Sequence, residues 1–429
     1  MSYYRIYPTK SNTLIRYVGK PISQNINTGK SLFYHLMDGN AESKIVFSFQ
    51  FPEWLETKIQ NNSFITKFQL FDAGIIQNNP AKLKNIVLSS FVEDFIEGDG
   101  DSYLINNGLN EVSNWNKRDS LNDWNITFNH LQTYHLNNWN EDLNFEITNG
   151  IINNLNASLN YINLALNYEL HENDNYIFSK SFNSKYAFNI FTPYLEFFIN
   201  DEVLDDSLNF IAGKDNNVFL LNQNKQDFNG LLECFFVNHD GTLASLNVTN
   251  KRNGVYYTTI KTNPMINQGL MDILWKLNGV AIKSQKIKVI ASENLELNDY
   301  SDIFYYPTTN STDNVVLKGD IIPFTVISEI RGKGKIILKG YEYRVVTKDG
   351  FEICPWMPCS VYNGKIYFNL NTEYYFPETN YEVFLRIKYD ENIITSQLSY
   401  KFKVKMNEKS FMNSQLSNPY YSRSQTFNK

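Results

Sequence analysis

The residues with the most chemical reach in this chain are the carboxylates of EDFIEGDGDS: Glu93, Asp94, Glu97, Asp99 and Asp101. Closely spaced acids on a glycine-containing loop suit calcium, which takes about six to eight oxygen ligands. The stretch lacks the D-x-D-x-D-G run and the following glutamate of an EF-hand, so it reads as a structural turn and no metal is expected. A second candidate is NTGKS at 27–31, where Gly29, Lys30 and Ser31 match the end of a phosphate-binding loop. The full pattern needs a glycine where Gln24 stands, and a helix after the loop. The run that follows, LFYHLMDGN, is too short for that helix, so NTGKS reads as a hairpin turn in which Gly29 supplies backbone freedom.

Other catalytic constellations are equally thin. The histidines are His35, His130, His135, His171 and His239, and the close pair His130 and His135 shares no face of a helix or strand. There is no G-x-S-x-G elbow and no H-E-x-x-H pair. The 45 acids guarantee accidental pairs, so paired carboxylates for glycoside hydrolysis are not readable from sequence. No catalytic residue, cofactor or enzyme activity is expected. Trp115, Trp124 and Trp139 lie in a long polar segment and suit stacking on sugar rings; the plainer reading is that they seal one end of a sandwich.

Bulk properties narrow the class. The 429 residues suit about three domains, and 42% hydrophobic with 15% aromatic content supplies real cores. A net charge of −6 argues against a nucleic-acid binder. Asparagine makes up roughly one residue in seven, which codon bias in an AT-rich genome explains. No run of about 18 apolar residues marks a membrane span. The opening MSYYRIYPTK lacks the apolar core of a signal peptide, so synthesis in a cytoplasm without export is expected. Cys234, Cys354 and Cys359 cannot complete a four-ligand zinc site, and reduced thiols are expected, CPWMPC included.

The elements that must position any site are strands. KIVFSFQF puts Ile45, Phe47, Phe49 and Phe51 on one face, and NYINLALNYEL does the same for Ile162, Leu164, Leu166, Tyr168 and Leu170. YEVFLRIKYD and SYKFKVK repeat the pattern, with turn clusters such as NHDG, KDG and YNGK between strands. No helical period lasts twelve residues or more. The fold class is all-β: tandem β-sandwiches, a jelly-roll-like one at 1–210, then immunoglobulin-like ones at 211–297 and 298–406. Residues 407–429 are polar, without alternation. They read as an extended, flexible arm whose aromatics, Phe411, Tyr420, Tyr421 and Phe427, are the candidate partner-interface residues.

The first unit resembles the DNRLRE-type β-sandwich found in bacteriophage virion proteins. The resemblance is carried, in order, by RIYPTKSNTLIRY, NINTGKSLFYHLMDG, SKIVFSFQFPEWL, ITKFQLFDAG, VEDFIEGDGDS with VSNWNKRDSLNDW, and IFSKSFNSKYAFNIFTPYLEFFINDEVLDD. It covers about half the chain. Lys44 replaces a usual arginine, and Phe95 a usual tryptophan. The resemblance implies a non-enzymatic structural component of a phage particle, in a neck, collar or tail ring or at a fibre attachment. Its expected partners are other virion proteins and copies of itself, with neither nucleic acid nor membrane. The alternative is a carbohydrate- or receptor-binding module of a fibre or cell surface, with a glycan as partner.

Overall fold

The computed structural model describes residues 1–19, 26–77, 84–98, 113–119, 122–124, 127–169, 177–187, 190–208, 210–262, 269–290, 303–309, 314–330, 334–335, 340–389, 392–396 and 398–406. The chain forms two compact units, Tyr4–Ile199 and Asn200–Lys429, the second including Met1–Tyr3. The described structure is all-β, with two short α-helices, Glu53–Gln60 and Thr148–Asn156.

In the first unit a six-stranded sheet runs Ile26–Asn27, Lys10–Tyr17, Ala41–Gln50, Tyr161–Tyr168, Asn85–Phe91, Asn129–His135 in spatial order. Two smaller sheets accompany it. One orders Ser2–Ile6, Tyr194–Ile199, Phe64–Leu70 and Leu143–Glu146; the other orders Phe33–Gly39, Ile177–Asn183 and Asp72–Gln77. Strict alternation places Ile45, Phe47 and Phe49 inward, each opposite Leu166, Leu164 and Ile162 in antiparallel register, and all six are fully buried. Phe47 and Phe49 meet Phe68 of the four-stranded sheet at ring distances of 5.2 and 5.8 Å, and Phe47 meets Tyr34 of the three-stranded sheet at 5.1 Å. These contacts join the layers through aromatic area.

The segment after FQF is helical, too briefly for the twelve-residue helical period that the sequence lacks. Pro52 starts the helix Glu53–Gln60, and Leu55 and Ile59, one helical turn apart, are buried. Two lysine–aspartate pairs are buried in this unit, Lys84 with Asp38 and Lys180 with Asp72. Lys180 Nζ also donates to the Trp139 carbonyl at 2.5 Å, which fixes that loop to the strand Ile177–Asn183.

The second unit holds two further sandwiches. In one, Phe210–Ile211, Val280–Ile290, Gly269–Leu277, Leu232–Val237 and Leu243–Leu246 form one sheet, and Asp215–Leu221, Val255–Lys261 and Thr249–Arg252 the other. Trp275 lies at its centre, fully buried, opposite Cys234, with its indole donating to Gln285 Oε1 at 3.1 Å. In the other, Ile303–Thr309, Ile321–Ile330, Lys365–Asn371 and Ser360–Tyr362 face Val315–Leu317, Tyr400–Lys405, Thr379–Tyr389, Tyr341–Thr347 and Glu352–Pro358. Its core stacks Phe324 on Phe368 at 4.9 Å and Tyr343 on Phe368 at 4.1 Å. Cys234, Cys354 and Cys359 are buried, unbridged thiols.

The boundary expected near 210 falls earlier, after Ile199. The physical reason is the packing of the residues that follow. Val361 N–H donates to the Val203 carbonyl at 2.6 Å, Asp205 N–H donates to the Val361 carbonyl at 3.0 Å, and Leu204 bridges Val361 in parallel sense. On the other side, Phe219 N–H donates to Asp205 Oδ1 at 3.1 Å and Asn217 N–H to Asp206 Oδ2 at 2.7 Å. Val203 is buried with Phe219 and Val255, and Leu221, Tyr257 and Tyr362 pack on them. The linker is thus a joint between the two downstream sandwiches. The boundary expected at 297/298 and the arm at 407–429 lie outside the described residues.

One buried titratable group gives this fold a pH signature. His35, on the strand Phe33–Gly39, is buried with Nδ1 2.8 Å from Ser181 Oγ, and burial lowers its pKa from 6.5 to about 4. The unfolded chain binds that proton near the ordinary value and the folded chain does not. Stability is therefore complete above the unfolded value and is lost as pH falls toward the folded one. Denaturant unfolding at about pH 7.5 and about pH 4.5 should show this loss, and His35→Gln should lose less over the same interval. Equal losses in both proteins would remove His35 from the account.

Candidate functional site

The acidic loop is a clasp. Asp94 pairs with Lys10 at 2.6 Å. Glu97 Oε1 accepts from the Ser11 backbone N–H at 2.9 Å and from Lys185 Nζ at 2.5 Å, while Oε2 accepts from the Tyr186 hydroxyl at 2.8 Å. With its oxygens taken by these donors, Glu97 ties the loop to the strand Lys10–Tyr17 and to the turn at Lys185–Ala187. Asp99 and Asp101 lie outside the described residues, and no group of acids, histidines or cysteines suited to a metal occurs among those described.

NTGKS is a turn, though its glycine has a different reason from the one expected. Ser31 N–H donates to the Thr28 carbonyl at 3.1 Å, and Phe33 N–H to Ser31 Oγ at 3.3 Å. Gly29 is not among the residues of positive φ. What demands glycine is space: a Cβ there would lie 2.2 Å from the Gly98 carbonyl oxygen, so the turn and the acidic loop touch backbone to backbone.

The remaining sequence candidates are dispersed. His130 sits 3.0 Å from Thr133 Oγ1 and His135 2.9 Å from Asn85 Oδ1, both exposed on Asn129–His135. Trp139 packs edge-on against Phe178 at 4.8 Å. Trp124 packs on the cluster Leu14, Val46, Phe91, Phe95 and Ala165, with its indole donating to the Asn114 carbonyl at 2.6 Å. Phe411, Tyr420, Tyr421 and Phe427, together with His171, lie outside the described residues.

What the structure does assemble is a groove of about 440 Å³ on the outer face of the six-stranded sheet. The same alternation that turns Ile45, Phe47 and Phe49 inward turns Glu42 and Lys44 outward. Arg16 lies directly across from Glu42, and Lys44 across from Leu14. Asn167, opposite Val87, and Ser89 continue the floor, and Trp115 and Phe128 form the walls. Arg16 donates through Nε and Nη2 to Glu42 Oε2, at 2.9 and 2.5 Å. Its guanidinium lies 4.4 Å from the Trp115 ring centre, and Lys44 Nζ lies 5.1 Å from Trp115 and 4.7 Å from Phe128. Burial, then the neighbouring Arg16, lowers the pKa of Lys44.

A sugar-binding platform needs an open aromatic face. Here Trp115 packs on the core cluster and carries Arg16 and Lys44 over its ring, so cations stand where a pyranose would stack. Sequence reasoning noticed Lys44 only as a replacement and passed over Arg16, Glu42 and Phe128. The available signal was the pair of charges on the outward positions of an otherwise apolar strand.

No protein-family model matches the chain, and no curated protein matches it. Solved structures with some similarity include the Yersinia pseudotuberculosis adhesin InvE, at 14% identity and a TM-score of 0.18, covering 46% of this chain and 56% of that one. The chain therefore spans little more than half of that structure. The Escherichia coli adhesin FdeC matches at 13% identity and a TM-score of 0.20 over 58% of this chain and 78% of that one. A titin tandem of immunoglobulin domains matches at 7% identity and a TM-score of 0.16 over 48% and 95%. Similarities at this level carry no argument for function, and the fold assignment rests on the strand pairings themselves.

The Gly29 contact is directly testable. Gly29→Ala should cost about 1–3 kcal/mol in denaturant unfolding, the range for forcing atoms into filled space. Unchanged stability would mean that the two loops do not touch.

Proposed function

We propose that this chain is a non-enzymatic structural component of a bacteriophage particle, working as a stiff spacer that assembles through repeated protein–protein contacts. Neck, collar or tail ring, or fibre attachment, are the settings that suit it, with other virion proteins and further copies of the chain as partners. The observation that carries the spacer reading is the joint at Val203–Asp206. A flexible string of sandwiches needs only a solvated linker. This linker instead hydrogen-bonds to strands of both downstream sandwiches and buries Val203 between them. The virion setting rests on the ordered resemblance of the first unit to DNRLRE-type sandwiches. The clasped acidic loop and the cation-covered tryptophan support binding and scaffolding over turnover.

Two measurements test the reading. Val203→Asp places a carboxylate in the buried joint and should uncouple the two downstream sandwiches, turning one shared thermal transition into two. A single unchanged transition would count against the joint as a stiffener. Light scattering on the full-length protein should give an oligomer mass well above the 50.0 kDa chain. A monomer at every concentration tested would count against self-assembly.

A further inference from the structure

The groove on the six-stranded sheet holds one charge that folding leaves without an acceptor. Arg16 is matched by Glu42, and Glu169, at the groove margin, accepts from Asn85 Nδ2 at 2.7 Å. Lys44 has neither a hydrogen-bond acceptor nor an ion-pair partner among the described residues; its ammonium is held by the rings of Trp115 and Phe128. An ammonium carries three donors, and a half-buried one that has lost water without gaining acceptors is poised for an anion. The Nη1 of Arg16 also has no partner among the described residues, and that guanidinium lies over the same tryptophan ring as Lys44.

We propose that this groove receives the carboxylate of an aspartate or glutamate side chain from an extended segment of a partner polypeptide, seated on Lys44 Nζ beside Arg16 Nη1. Charge complementarity selects the carboxylate. Glu42, held by Arg16, and Glu169, held by Asn85, are the groove's own carboxylates, and the free donors of Lys44 are where a further one seats. The ring of Trp115 that a sugar would stack on is occupied by cations, which selects against a saccharide. Tryptophan and arginine are also the residue types that most often anchor protein interfaces.

The inference rests on the proposed function in requiring a protein partner, but its test needs no assembled particle. The test is a titration of the full-length, isotopically labelled protein, followed at the indole N–H of Trp115, which Trp115→Phe assigns. The probe is an acetylated and amidated pentapeptide, Gly-Gly-Glu-Gly-Gly, against its Gln counterpart and against glucuronate. The Glu peptide should move the Trp115 signal with at least about tenfold greater affinity than the Gln peptide. Lys44→Met should abolish the response, and Lys44→Arg should keep it. Equal responses to the Glu and Gln peptides, or an unchanged response in Lys44→Met, would overturn the proposal. So would a response to glucuronate with none to either peptide, which would make the occupant an acidic saccharide. Should Lys44→Met fail to fold, the two peptides and Lys44→Arg still decide. A monomeric protein that nonetheless binds the Glu peptide would separate failure of self-assembly from failure of this site.

Discussion

The two-residue alternation of the strand Ala41–Gln50 is the constraint from which the first unit follows. Its inward residues, Ile45, Phe47 and Phe49, reach the facing layers through Phe68 and Tyr34. Its outward residues, Glu42 and Lys44, make the floor of the groove. Core and surface site are thus two sides of one pleat. A slip of one residue against Tyr161–Tyr168 would turn Ile45, Phe47 and Phe49 out of the core and carry Glu42 and Lys44 into it. Such coupling makes the groove as firmly specified as the core, and the Arg16–Glu42 pair across the neighbouring strands supports the same register.

The second unit depends on a different device. Its sandwiches have separate aromatic cores, one around Trp275 and one around Phe324 and Phe368. The segment at 203–206 bridges them: its backbone exchanges bonds with Val361 on one side, and on the other the Asp205 and Asp206 carboxylates accept from Phe219 and Asn217 N–H while Asp206 N–H donates to the Asn217 carbonyl. Two short carboxylates sit beside the buried Val203 cluster, so hydrogen bonds fix direction while the apolar contact excludes water from them.

Much of this was legible in the sequence. Period two found the strands, since half-buried sheets impose it directly, and Ile162, Leu164, Leu166 and Tyr168 are all fully buried as that pattern requires. The helix Glu53–Gln60 escaped because its apolar signal is just Leu55 and Ile59, too brief for a period to emerge. The end of the first unit escaped because INDEVLDD looks like the closing stretch of a domain by composition. Its assignment depends on Val361, which is distant in sequence. Gly29 was recognised as a turn glycine, but its closeness to Gly98 is a tertiary fact with no local trace. The groove was hidden for a similar reason: Arg16, Lys44, Trp115 and Phe128 come from four separate stretches that only the sheet register brings together.

The thiols carry a last consequence. Cys234 and Cys359 are buried thiols; burial pushes Cys234 up to about 12 and raises Cys359 as well, outweighing the pull of the N-terminal ammonium on Cys359. A thiol that seldom ionises is a slow partner for disulfide exchange and a poor target for peroxide. Both sandwiches of the second unit are therefore folded with their cysteines unbridged. Buried, unbridged thiols thus make both sandwiches slow to respond to an oxidant.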